Sequence, residues 1–305
     1  MKRFTLASLS IMLMLLASLT GADAKLRVVA TIPDLADMAR NIGGDLLEVK
    51  SLATGVEDIH AVPMKPSFVI LLNRADVLLL VGLEVEHAFL PALLDAARNP
   101  KILPSAPGYI DCSIYVTPLE VPHSIDRTLG DQHPRGNPHI NLDPVAGKAM
   151  ARAMADGLVR NDPEHEATFK KNLAVYLAML DTAIARWQRE AMPLRGVKFI
   201  SYHPDLIYFA QRFGMEPAGT IELRPGVDPT PSHIVALEER MQREGVKLVV
   251  RERHYPAGLA ETVAQRTGAK LIELPVMVGG VPEAKDYVSF IDYNVRTMLK
   301  AVQGG

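Results

Sequence analysis

The sequence predicts an α/β protein of two Rossmann-like lobes, each a parallel sheet flanked by helices, joined by one long helix. Three features predict it. Short apolar runs alternate with amphipathic helical segments, the rhythm occurs twice, and one long segment without internal Gly or Pro separates the two copies. Near-continuous apolar strands between amphipathic helices imply sheets covered on both faces, the habit of parallel strands.

In the first copy "LRVVATI" reads as a strand, "PDLADMARNIG" as a helix ending at Gly43, and "LLEVKSLA" as a strand. A helix "PSFVILLNRA" and a strand "DVLLLVG" follow. The second copy runs "VKFISYH" strand, "PDLIYFAQRFG" helix, "PAGTIEL" strand, "PSHIVALEERMQREG" helix, "VKLVVRE" strand, "AGLAETVAQRTG" helix and "KLIELPV" strand. Between them the chain from Asp162 to Met192 opens on an Asp-Pro start signal. Fully helical, it would be roughly 45 Å long at 1.5 Å per residue, enough to span both lobes and to restrict their relative motion.

The chain opens "MKRFTLASLSIMLMLLASLTGADA": a basic start, an apolar run and an Ala-x-Ala ending at Ala24, the pattern of a cleaved secretory signal. The apolar run is shorter than the ~20 residues a bilayer demands, which disfavours a membrane anchor. No cysteine follows the run, so a lipoprotein anchor is not available. The expected organisation is a signal peptide at 1–24, an N-terminal lobe at 25–161, a linking helix at 162–192 and a C-terminal lobe at 193–305, exported to a bacterial periplasm. A formal charge of -2 and a pI near 6.5 give no basic excess, which argues against nucleic acid as a partner. Cys112 is the only cysteine, so no intrachain disulfide forms, and in "YIDCSIYV" it reads as a buried strand thiol.

Nine histidines remain to be sorted. His60 follows the second strand, His139 stands in "GNPHINLDP", and His203 ends "VKFISYH". All three lie at the carboxyl ends of strands or in the segments leaving them, where open α/β sheets place their ligands, and they are expected at exposed loop mouths. The Gly-Asn-Pro turn before His139 sets that histidine at the mouth of the element that follows, where an imidazole can reach a ligand or a metal, and Asp143 with Pro144 starts the next helix.

"EDIHAVPMKPS", "NPHINLDP" and "SYHPDLIYFAQRFG" resemble, in order and spacing, the three histidine motifs of the zinc- and manganese-binding solute-binding proteins of ABC importers, cluster A-I. The resemblance continues through "ELRPGVDPTPSHIVAL" and "DYVSFIDYNVRTML", and so covers essentially the whole mature chain. It implies one metal held between two α/β lobes by His60, His139 and His203, with Asp143 a motif residue outside the ligand set. Two positions depart outside the ligands: Ile59 replaces a proline, and Asn141 replaces an aromatic residue. A third departure matters more, because Pro275 in "IELPVMVGG" stands where many members supply a ligating aspartate, and Glu273 would point to the opposite side of a strand.

The fourth ligand is then Glu222 in "GTIELRPG" as first choice, resembling a zinc-binding subgroup, with Glu252, Asp228 or water as alternatives. Three neutral imidazoles and one carboxylate suit Zn²⁺, while manganese members usually exchange a histidine for a second carboxylate. The loop 117–136 carries His123 and His133 and reads equally as a solvated loop or a metal-acquisition arm. His87, His165, His233 and His254 have no motif support and are expected as surface or capping residues. The resemblance implies a monomeric zinc receptor that delivers its ion to an inner-membrane permease, with a metallochaperone as a further partner left open. A secreted zinc hydrolase is the reading from another class, and the absence of His-Glu-x-x-His or a nucleophile elbow speaks against it.

Overall fold

A computed structural model of the chain describes residues 24–124, 133–224 and 226–304. The expected signal peptide, but for Ala24, lies outside the described residues. Two four-stranded, wholly parallel sheets form the framework. The first comprises β1 (Leu26–Ala30), β2 (Leu47–Ser51), β3 (Val77–Leu80) and β4 (Tyr109–Asp111) in the order β2-β1-β3-β4. The second comprises β5 (Lys198–Ser201), β6 (Glu216–Thr220), β7 (Leu248–Glu252) and β8 (Lys270–Leu274) in the order β6-β5-β7-β8. The same winding thus occurs twice, as the repeated rhythm of the sequence predicts.

The helices of the first half are α1 (Pro33–Gly43), α2 (Pro66–Arg74), α3 (Leu90–Ala97) and α4 (Pro144–Asn161). Helix α5 (Glu166–Glu190) links the halves, and α6 (Ile207–Phe213), α7 (Pro231–Glu244), α8 (Ala257–Thr267) and α9 (Tyr287–Gln303) complete the second. Proline occupies the first turn of α1, α2, α3, α4 and α7, where its missing N–H is one that the helix leaves unpaired anyway.

The linking helix starts later than expected. Residues Pro163–His165 form one 3-10 turn before α5 begins at Glu166. Asp162 precedes a proline, which disfavours helical backbone, and its φ of -146° lets it close α4 instead. At 25 residues α5 is about 37 Å long. It packs on α1 and α4 at one end and on α9 at the other. There the buried Trp187 donates from Nε1 to Asp292 Oδ1 at 3.0 Å, and Arg186 reaches the same oxygen at 2.6 Å.

Alternation along the second sheet explains how it is covered. Phe199, Leu248 and Val250 face a large core that runs through the linking helix into the first lobe, whereas Ile200 and Val249 face a smaller core with Ile234, Leu237 and Val263. Pro217 is accepted in β6 because that strand lies at the sheet edge, beside a register shift at Phe199/Ile200. Cys112 is fully buried, as expected. No helix among the described residues is long and apolar enough to cross a membrane.

Candidate metal centre

His60 lies on the loop between β2 and α2. Its backbone N–H donates to Asp58 Oδ1 at 2.8 Å, a local turn that fixes where the imidazole leaves the chain. His139 follows the Gly-Asn-Pro turn, and its N–H donates to Asn137 Oδ1 at 3.1 Å. The amide of Asn137 also donates to the carbonyl of Pro204 at 2.8 Å, so one side chain ties the His139 backbone to the residue following His203. Gly136 permits the turn with φ of +107°; a Cβ there would meet the Leu119 carbonyl at 2.7 Å. His203 follows β5, and its N–H points at Glu252 Oε2, 3.4 Å away.

The three rings converge, with centroids 5.0 Å apart for His60 and His139, 5.4 Å for His60 and His203, and 5.2 Å for His139 and His203. One ring nitrogen from each lies within 4.8 Å of the others. The Nε2 atoms of His60 and His139 are 3.2 Å apart. Two ligands at Zn–N distances of 2.0–2.1 Å on a tetrahedron stand about 3.3 Å from one another, so the pair already has the spacing of two corners. The expectation of exposed loop mouths needs correction: His139 is 3 % and His203 5 % exposed, because the lobes close over them.

Burial, then the neighbouring imidazoles, hold His60 and His139 well below the usual histidine range. Both are therefore neutral at physiological pH, with lone pairs available to a cation. Burial also pulls His203 down, but its hydrogen bond to Glu222 and the nearby carboxylates outweigh that, and its pKa is raised. Behind it, desolvation and mutual repulsion push Glu252 well above the carboxylate range, and desolvation lifts Asp205 to about 6.

Glu222 is buried two residues beyond β6, and its Oε2 accepts from His203 Nδ1 at 2.7 Å. Named from the sequence as first choice for a fourth ligand, it sits here on Nδ1 of His203, which leaves the Nε2 of that ring unengaged by it. Among the described residues the converging donor set is the three histidines. The physical reason is reach: the residues after β6 bring the carboxylate behind the ring, and the amide of Gly226 holds it there at 3.3 Å. Glu252 faces Asp205 rather than the cluster, and Asp228 is exposed ahead of α7, whose capping residue is Thr230. Glu273 turns away to pair with Arg251 and Arg253. Asp143 caps α4 by accepting from Val145 N at 2.8 Å.

Four further residues border the centre. His133 stacks on His60 at 5.0 Å, and His87 meets His133 edge-on at 5.7 Å. Tyr255 stacks on His203 at 5.8 Å, and His254 packs on Tyr255 at 4.3 Å. The expectation of mere surface or capping roles thus holds for His165, beside the start of α5, and His233, in the first turn of α7, but not for His87 or His254. Their signal was positional: each lies in a segment leaving a strand, His254 just after β7 and His87 between β3 and α3. His123 is exposed.

Two equivalent α/β lobes, a stiff linking helix and three imidazoles meeting in the cleft define the class of two-lobed metal receptors. The chain belongs to the family described as zinc-uptake complex component A, periplasmic, whose model matches residues 28–301. That description names a component of a zinc-uptake complex in the periplasm. The high-affinity zinc uptake system protein ZnuA of Brucella abortus is 30% identical over 162 residues, covering 53% of this chain and 48% of that protein. The chain therefore spans about half the length of that relative in the match. The ZnuA protein of Paracoccus denitrificans is 24% identical over 300 residues, covering 87% and 88% of the two chains. A crystal structure of ZnuA superposes with a TM-score of 0.76 at 26% identity, covering 92% of this chain and all of that one. A zinc-bound deletion variant of ZnuA gives the same score over 91% of this chain and 98% of its own.

Proposed function

We propose that this chain is a periplasmic, monomeric receptor that captures Zn²⁺ between its lobes and delivers it to the permease of an ABC importer, after removal of residues 1–24. The domains are then 25–161 and 193–305, with 162–192 between them. His60, His139 and His203 supply the ligands. Glu222 acts through His203, holding the ring and offsetting the ion's charge, and a water or a shifted carboxylate completes the shell.

The observation that carries this reading is the convergence of three ring nitrogens within 4.8 Å, two of them on imidazoles held neutral. A nitrogen-rich set of this kind favours zinc over manganese, which prefers oxygen donors. Zinc is bound as cargo, and no catalytic role is proposed for it. Titration of the metal-free mature chain with zinc against a chromophoric chelator tests the reading. One tightly bound ion, lost on His60→Ala, His139→Ala or His203→Ala, is expected. Unchanged affinity in all three variants, or hydrolysis of ester or phosphate substrates by the zinc form, defeats it.

A further inference from the structure

Asn141 is the position at which "NPHINLDP" departs from the aromatic of the resembling motif, and it is buried at 1 % exposure, two residues beyond His139. Its amide donates to Asp34 Oδ1 at 3.1 Å and to the carbonyl of Val276 at 2.8 Å. Asp34, fully buried in the first turn of α1, accepts from the N–H of Val278 at 3.0 Å through its other oxygen. Side by side, the two side chains offer residues 276–278 the donor and the acceptor that a neighbouring strand would supply. Tyr287, at the start of α9, donates from its hydroxyl to the Asn141 carbonyl at 2.8 Å.

Segment 276–280 belongs to the lobe of His203, since it leaves β8 of the same sheet as β5. Its opposite flank abuts the beginning of the His60 loop. A Cβ on Gly55 would lie 2.1 Å from the Val278 carbonyl, and one on Gly280 would lie 2.9 Å from the Gly55 carbonyl. The segment is thus clamped between the turn that carries His139 and the loop that carries His60.

An apolar residue at 141 would fill this space by shape alone and would tolerate sliding. Asn141 instead carries a buried Oδ1 with no partner among the described residues, a desolvation penalty that an apolar side chain avoids. A buried polar pair satisfied in only one register fixes that register.

We infer that Asn141 is a positioning residue for the metal centre: with Asp34 it locks residues 276–278 against the turn of His139 and so sets the distance across the cleft from His139 to His203. The inference rests on the zinc-receptor reading. It follows that Asn141→Leu loosens the ligand geometry although no ligand is touched.

The test uses the mature chain as wild type, Asn141→Leu, the milder Asn141→Ser in case Leu prevents folding, and Leu158→Ala, which thins the α4 core at another position. Zinc affinity is measured by chelator competition, and ligand geometry by the visible absorption of the Co²⁺-loaded protein. Asn141→Leu, or Asn141→Ser if only it folds, should lose about tenfold or more in zinc affinity and shift the Co²⁺ bands. Leu158→Ala should melt earlier yet keep its zinc affinity within about twofold and its Co²⁺ spectrum unchanged. Wild-type affinity and spectrum in the Asn141 variants overturn the inference alone, as does an equal loss in Leu158→Ala. A wild-type chain that binds neither ion overturns the receptor reading itself.

Discussion

Glu222 Oε2 accepts a hydrogen bond from Nδ1 of His203 at 2.7 Å, with both side chains almost fully withdrawn from water. That bond makes His203 unlike its two companions. A ring whose Nδ1–H is held by a carboxylate has its tautomer fixed, its orientation set and its Nε2 made a stronger donor. His60 has no equivalent support, since its Nδ1 is buried without a hydrogen-bond partner among the described residues.

Glu222→Gln should therefore weaken zinc binding by about 10–100-fold, the usual effect of losing a carboxylate behind a ligating histidine. Glu252→Gln and Asp228→Asn should do less, because Glu252 already shares a crowded acidic pair and Asp228 is exposed. Chelator competition on the three variants decides the order. Glu252→Gln as the most damaging would move the essential carboxylate from the end of β6 to the end of β7, on the other side of β5.

The pH dependence follows from the unequal histidines. His60 and His139, held below 6.5, resist protonation and compete little for protons until well into acid, whereas His203, raised above 6.5, begins to compete near neutrality. Zinc affinity should fall by about tenfold per pH unit below neutrality, the slope of one proton, and steepen only at lower pH. Three unperturbed imidazoles would give a slope of about 1.5 at pH ~6.5 that climbs towards three over roughly the next unit. For the metal-free fold the signs oppose. The His203–Glu222 pair stabilises fully below 6.5 and is lost as pH rises through the raised pKa, while His60 and His139 destabilise the fold once the unfolded chain takes up protons that they refuse. Competition titrations from pH 8 to about 5.5 read the slope, and a slope of about two or more at pH 6 contradicts the assignment.

The parts of this centre legible in the sequence are those encoded locally. His60, His139 and His203 stand beside proline-marked turns at strand ends, and the apolar rhythm announces both sheets. What pairs with them was not legible. Glu222 lies 19 residues from His203 and Asn141 lies 107 from Asp34, so these contacts exist only once each lobe has folded, while Arg212, 69 residues from Asp143, meets it only once the lobes have docked. Glu222 could be named from its place after a strand, but not whether it would face the ion or the ring behind it. The burial of His139 and His203 was hidden for the same reason, since it is produced by the opposite lobe.

Alanine at the three histidines should separate stability from binding. His203→Ala strands the Glu222 carboxylate in a buried site and should destabilise the metal-free protein by about 1–3 kcal/mol, the cost of an unsatisfied buried polar group. His60→Ala strands no such charge and removes a ring with an orphaned Nδ1, so its metal-free melting temperature should stay close to wild type. Thermal melts in chelator test the order. A His60→Ala protein less stable than His203→Ala would mean that the Glu222 bond carries little energy.

Arg212 of α6 reaches across the lobes to Asp143 with two 2.7 Å hydrogen bonds, Nε to Oδ1 and one terminal nitrogen to Oδ2. Breaking a buried ion pair by removing one partner costs about 3–5 kcal/mol when the remaining charge has no other support. Asp143 has support, because it accepts from Val145 N at the positive end of α4. The cost of Arg212→Ala should therefore fall to about 1–2 kcal/mol, an intermediate value between an exposed pair and a stranded charge. Asp143→Asn should cost less, since it can keep the cap and leaves behind an arginine whose side chain is 26% exposed and reaches water. Asp143→Ala should cost most, because it loses both the interlobe pair and a cap worth about 1 kcal/mol. Arg212→Lys should recover only part of the loss, as a single ammonium cannot match the two-pronged contact. Chemical denaturation of the metal-free variants gives the ranking, and an Asp143→Asn protein less stable than Arg212→Ala would show that the helix end does not hold the aspartate's charge.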